Sequence, residues 1–295
     1  MLTEGMLLIE LLKYLKMINK ISLLTLLLGI SCNSQTSQLE SLLQSNEIAA
    51  QLHNDFNNDG TRDDLYVLTL KNAKDIKETG ELTQRKLIIV FNNKNNTELS
   101  TYESDTIFPC KECSGKSDVN IDNLKFENNL LSYTTCIAPF ASNKYSVIDF
   151  TLKYSKNTFN LFKYKENYFS VEADNNASIL LDAKDVSKTK FSYYDWVADK
   201  SWLDYIIIST NNIAKINDFA FNLESINPSV SINVLQKIIQ KYPDRVVAYL
   251  NIANSYWSTG KKEKAIENYK TYISLMKSQK KDLNKIPKYV GERIK

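Results

Sequence analysis

The sequence predicts an α+β protein of two domains, an N-terminal antiparallel β-sheet domain (a sandwich or half-barrel) followed by a C-terminal α-helical region built of hairpins. Three observations lead there. Apolar residues alternate with polar ones in short runs up to about residue 165, then recur at helical spacing from Val246 onward. Polar turn signals such as Asn128-Asn129 and Lys156-Asn157 punctuate the first stretch, and Gly260 ends the first clear helix of the second. Charge divides the same way: residues 211–295 carry 15 Lys/Arg against 7 Asp/Glu, whereas residues 32–210 sum to −6, which puts the cut near 205–212.

The chain has 295 residues, 43% hydrophobic and 24% charged, long enough for two packed cores and unlike collagenous or disordered sequences. A net charge of +3 is too small to predict nucleic-acid binding. The one histidine, His53, excludes any metal centre that needs two imidazoles.

In chain order, Lys20 precedes an uncharged apolar run over residues 21–30, too short to cross a bilayer. It closes in Leu28-Gly29-Ile30-Ser31-Cys32, and a polar Ser/Gln/Asn stretch follows. Glu4 and Glu10 suit neither part of an export signal, so translation is expected to start at Met17. Residues 32–50 read as a tether, with a short helix over 39–52. Residues 51–170 read as the β-domain: strands over 65–70, 86–91, 119–126, 130–136, 146–154 and 158–165. In the fifth of these, Ile148, Phe150, Leu152 and Tyr154 point one way and Asp149, Thr151 and Lys153 the other. Residues 171–210 connect to the helical region, 211–295.

Between the tether and the first strand stands Asp55-Phe56-Asn57-Asn58-Asp59-Gly60-Thr61-Arg62-Asp63-Asp64. Oxygen-bearing groups at positions 1, 3, 5, 7 and 9, with Gly at 6, suit one hard cation held by a tight turn. The ligands would be Asp55, Asn57, Asp59, the Thr61 carbonyl and Asp63, and the cation a structural Ca2+. An Asx-rich hairpin turn without metal is the alternative. Cys110, Cys113 and Cys136 leave one thiol over from any single bridge; in an exported chain a structural Cys110–Cys113 or Cys113–Cys136 disulfide is expected.

The residues 28–32 resemble the bacterial lipoprotein signal, with Gly29 where Leu is commonest. The resemblance implies a signal peptide over residues 1–31 and lipidation of Cys32. The protein would then sit on the cell envelope, extracytoplasmic and anchored in the membrane. The Asp55–Asp64 loop, followed by an apolar strand, resembles the calcium loop of FG-GAP/VCBS-type β-repeats. Residues 246–279 resemble a tetratricopeptide repeat (TPR), matching at Tyr249, Ile252, Ala253, Tyr256, Gly260, Ala265, Tyr269 and Tyr272. A weaker copy lies 34 residues earlier, with Ser231 at the small position and Pro243 at the end. Two copies need covering at both ends; the Trp196/Trp202 segment, residues 285–295 and a partner protein are the candidates.

TPR units bind proteins, so a non-catalytic, membrane-anchored binding or assembly factor is the expectation, with a protein partner and no small-molecule substrate. The other readings are an immunity or inhibitor protein against a periplasmic toxin, or a cell-envelope hydrolase using a pair among Asp174, Asp182, Asp185, Asp195, Asp199 and Asp204. No spacing singles out such a pair, and no catalytic residue is assigned.

Overall fold

The computed structural model describes residues 34–70, 84–92, 100–111, 121–138, 143–172, 176–198 and 202–295. A helix, α1 (Ser34–Ser45), precedes a four-stranded sheet: β1 (Glu47–Asn54), β2 (Asp63–Thr69), β3 (Arg85–Phe91) and β4 (Ser100–Ser104), hydrogen-bonded in that order and antiparallel throughout. A second antiparallel meander follows, β5 (Asp122–Glu127), β6 (Leu130–Ile137), β7 (Lys144–Ser155), β8 (Thr158–Ser170) and β9 (Ala177–Asp182). A short helix, α2 (Trp202–Tyr205), leads to the helices α3 (Ile213–Leu223), α4 (Pro228–Lys241), α5 (Val246–Ser258), α6 (Lys262–Ser278) and α7 (Lys288–Arg293).

The helix expected over residues 39–52 stops at Ser45, and the rest of it is the edge strand β1. Pairing with β2 overrides a helix-compatible composition: Gln51 lies opposite Tyr66 and Leu52 opposite Leu65. The freed helix has its own task. Leu39, Leu42 and Leu43 pack on Tyr66, Leu68, Ile88 and Val90, the outer face of the first sheet. That cover explains why β2 and β3 are apolar on both faces rather than alternating.

The long hairpin β7–β8 alternates as its sequence requires, with Ile148, Phe150 and Leu152 inside. Its two-residue turn places Lys156 at φ +51° and Asn157 at φ +54°, while Asn128 and Asn129 close β5–β6 at φ +53° and +60°. Left-handed backbone at both central positions matches the twist of the strands it joins. Asparagine tolerates that conformation well, which is the physical content of the turn signals in the sequence.

Inner faces of the two sheets meet in an aromatic seam. Phe56 stacks on Phe126 at 4.6 Å, Phe91 on Tyr154 at 5.5 Å, and Tyr102 meets Phe159 edge-on at 5.4 Å. Tyr133 is buried, and its hydroxyl donates to the Ile107 carbonyl at 2.7 Å, so burial leaves no polar atom unsatisfied there. This core does not stop at the sheets. Tyr164, Phe191, Trp196, Trp202 and Phe219 carry it into the helices without a break.

Small residues set the helix spacing. Ala220, Ser231, Ala253 and Ala265 are all fully buried, so neighbouring backbones approach closely. The Ser231 hydroxyl lies 2.6 Å from the Ala220 carbonyl, to which it donates, and 3.0 Å from the Ser255 hydroxyl. Gly260 sits at φ +76° just past α5, where a side chain would strain the backbone though nothing lies in its way.

Candidate functional site

Three regions gather polar side chains in a way that packing alone does not require.

The first is the acidic loop. Its carboxylates hold their own backbone: Asp55 accepts from the Asp59 and Gly60 N–H groups at 3.1 and 2.8 Å, and Asp59 accepts from Thr61 N–H at 2.7 Å. Asn57 Oδ1 also accepts from Asp59 N–H, and its amide nitrogen donates to Asp59 Oδ2 at 2.9 Å. Asn58 and Gly60 take the left-handed turns that this wrapping needs, at φ +61° and +82°. Asp63 differs from the others. It is fully buried, and its two carboxylate oxygens each accept a backbone N–H at 2.9 Å, from Phe56 and from Asn92. Burial pushes its carboxyl above the usual range, and the nearby charges of Asp59 and Asp55 push the same way against those two hydrogen bonds. Asp63 therefore ties the loop to the end of β3. Asp64 faces away, 2.5 Å from His53 Nδ1, with the Asn92 amide 3.4 Å off. Among the described residues, no three His, Cys, Asp or Glu side chains are grouped closely enough to hold an ion between them. Each carboxylate oxygen of Asp55, Asp59 and Asp63 nonetheless keeps a lone pair beyond the hydrogen bond it accepts.

The second is the junction of sheet and helices. Glu166, on β8, is buried and accepts from the hydroxyls of Tyr164 at 2.5 Å and Tyr168 at 2.8 Å. Trp202 Nε1 donates to the Tyr168 hydroxyl at 3.2 Å, and the Trp202 ring packs against Phe219 of α3 at 5.6 Å. Burial raises the Glu166 carboxyl, and the tyrosine hydroxyls hold it down only in part. Just past β9, Asp185 is also buried yet is held below the usual range; desolvation opposes this, but Asn212, the Asp182 N–H and Lys215 outweigh it. The Asn212 amide donates to Asp185 Oδ1 at 2.9 Å, and Lys215 reaches the Leu180 carbonyl at 2.6 Å.

A pH dependence follows from Glu166. Its carboxyl is raised in the folded chain, so the folded state binds the proton more tightly than the unfolded one. Its stabilising contribution is complete below the ordinary glutamate value and is lost as pH rises through the raised folded value. Glu166→Gln, which cannot ionise, is expected to gain on the wild type as pH climbs through that window, and urea midpoints at pH 4.5 and pH 7.5 measure it. An unchanged difference between the two would place the charge elsewhere.

The third is the C-terminal end. The Arg293 guanidinium lies over the rings of Trp257 at 4.7 Å and Tyr289 at 4.5 Å, and donates to the Tyr269 hydroxyl at 2.5 Å. Tyr289 itself accepts from the Asn254 amide at 3.1 Å, and Val290 is fully buried. Thus α7 packs on the last helical pair, while Trp202 packs on Phe219 of α3 in the first.

The residues of the 34-residue pattern fall together. Ile252, Ala253, Tyr256, Ala265, Tyr269 and Tyr272 are buried between α5 and α6, and Tyr249 packs partly buried against them. Cys32, Cys113, Asp174, Asp199 and the apolar run at 21–30 lie outside the described residues. Cys110 is fully buried and disulfide-bonded. Cys136 corrects an expectation: it is a free, exposed thiol, not half of a Cys113–Cys136 bridge. Strand parity is the reason. Leu131, Tyr133 and Thr135 point into the core, which turns Cys136 outward.

Three of the aspartates considered as a catalytic pair have described partners. Asp195 pairs with Lys188 at 2.6 Å, Asp182 lies 3.8 Å from Lys184, and Asp185 holds Asn212. The Glu166 network and the Arg293 clasp were not foreseen from the sequence. Tyr164, Glu166 and Tyr168 at alternate positions of one strand are the only signal for the former. Comparison with protein-family models, with curated proteins and with solved structures yields no match for this chain.

Proposed function

We propose that this chain is a membrane-anchored, extracytoplasmic, non-catalytic binding or assembly factor that meets a protein partner through its helical region. In this reading α3–α6 are two TPR-like hairpins, the two sheets pack as a sandwich, and Cys32 carries the lipid. The observation that carries it is the packing at both ends. Trp202 packs on one end of the helices and Arg293 with Tyr289 on the other. Their sides remain open, with Phe221 54%, Val247 44% and Leu283 46% exposed on a region of net charge +8. In this reading the partner covers exposed apolar side chains of this region.

Cross-linking in intact cells, followed by mass spectrometry of the solubilised full-length protein, tests this. Cross-links to one discrete protein are expected from residues 211–295. Cross-links confined to residues 47–182 would contradict it.

The acidic loop supports a second property. We propose that Asp55, Asn57, Asp59, the Thr61 carbonyl and Asp63 bind Ca2+, which would stiffen the turn between β1 and β2. Support comes from the shared turn on which Asp55, Asn57 and Asp59 converge. Calcium at a hundred times its dissociation constant is expected to stabilise the fold by about 2.7 kcal/mol. A thermal titration reads this as a rise in melting temperature that Asp59→Ala abolishes. No rise at millimolar calcium would remove the site.

A further inference from the structure

Two clefts of about 550 and 560 Å3 meet at Asp244 and Arg245, on the edge of the helical region where α5 begins and α6 ends. The floor of the first is apolar: Val246, Tyr272 and Met276 are buried beneath it, and Val247 stands exposed at its side. Its size lies within the range of clefts that bury a small ligand. Gln279 braces one wall by donating to the Asp244 carbonyl at 2.7 Å.

The charge around the two clefts together is net positive. Lys241, Arg245, Lys281 and Lys285 line them against Asp244 and Asp282, and the Asp282 carboxylate is already committed to the Asn284 N–H at 3.0 Å. Arg245 carries the strongest indication. Its Nε is buried without a hydrogen-bond partner, and Arg245 forms no ion pair among the described residues. Arg245 lines both clefts, and a carboxylate is the group whose planar geometry matches a guanidinium. Arg245 also stands at the start of α5, which no side chain caps, so the partial positive charge of that helix end favours an anion at the same place.

We infer that this groove docks an acidic–apolar peptide segment of the partner protein, a Glu or Asp side chain pairing with Arg245 while a neighbouring large apolar side chain fills the floor over Met276. Methionine suits such a floor because its flexible thioether repacks around different side chains. The inference rests on the protein-binding reading above and adds to it both the place and the chemistry of the ligand.

The test uses the full chain and fluorescein-labelled, end-capped hexapeptides in which a glutamate stands one to three positions from a phenylalanine or leucine. These are expected to bind. Replacing the glutamate by glutamine, or changing the protein by Arg245→Gln, should each weaken binding at least about tenfold, the worth of one charge-assisted pair. Val247→Glu, at an exposed position on the wall, should do the same by repulsion without lowering the melting temperature. Failure of every peptide at millimolar concentration overturns the proposal, as does binding that ignores Arg245→Gln and Val247→Glu. Decanoate binding where the peptides do not would make this a lipid site and equally overturn it. Cross-links from residues 211–295 alongside peptide failure would sink the groove alone; peptide binding with cross-links confined to residues 47–182 would sink the broader reading alone.

Discussion

Trp202→Ala is expected to destabilise the whole chain by about 3–5 kcal/mol, the usual cost of emptying a fully buried tryptophan site. The side chain is 2% exposed and touches both halves of the molecule, Tyr168 on β8 and Phe219 on α3. Removing it opens a cavity in the continuous core and strips the Tyr168 hydroxyl of a donor beside a buried carboxylate. A domain has roughly 5–15 kcal/mol in hand, so the loss is a large part of the total. Its form matters as much as its size. Sheet and helices share one core, so the remaining tryptophans, Trp196 on the sheet side and Trp257 on the helical side, should report the same urea midpoint in the variant. Helical signal lost at a lower midpoint than the Trp196 environment would show two separate cores instead.

Asp63→Ala should cost about 2–5 kcal/mol, because two N–H groups, Phe56 and Asn92, lose their acceptor together. Phe56 is fully buried and stacks on Phe126, so the strain passes directly into the seam between the sheets. Asp63→Asn keeps one acceptor oxygen and should lose roughly half as much. Both effects should appear in chelator, which separates the structural task of Asp63 from any it has toward calcium. Denaturant midpoints in excess EDTA supply the measurement. Full wild-type stability of Asp63→Ala in EDTA would show that the loop is held by something other than this carboxylate.

Much of the architecture was legible because it is local. Ile148, Phe150 and Leu152 announce β7 by alternation, Asn128-Asn129 and Lys156-Asn157 announce hairpins by tolerating left-handed backbone, and Ala253, Ala265 and Gly260 announce a helical pair by their size. What escaped depends on distant partners. Residues 47–54 look helical until β2 is there to pair with them. Strands β4 and β9 are short and carry no clean pattern, and they are recruited by the neighbours that they complete.

The candidate sites follow the same division. Spacing marked the acidic loop, but only the fold shows Asp63 turned inward to hold Phe56 and Asn92. Cys136 looked like one of three equivalent thiols until the pleat of β6 set it facing solvent. Arg245 had no motif at all. It becomes a candidate only where α5 and the end of α6 meet around it, with a nitrogen that no other side chain satisfies.

The reading of this chain as an anchored binding factor depends on its address, and mass spectrometry of the mature N-terminus reports that address directly. Protein taken from the membrane fraction is expected to begin at Cys32, with the cysteine heavier by its acyl chains. Recovery of the chain from the soluble fraction, unmodified and still beginning at an encoded methionine, would contradict it.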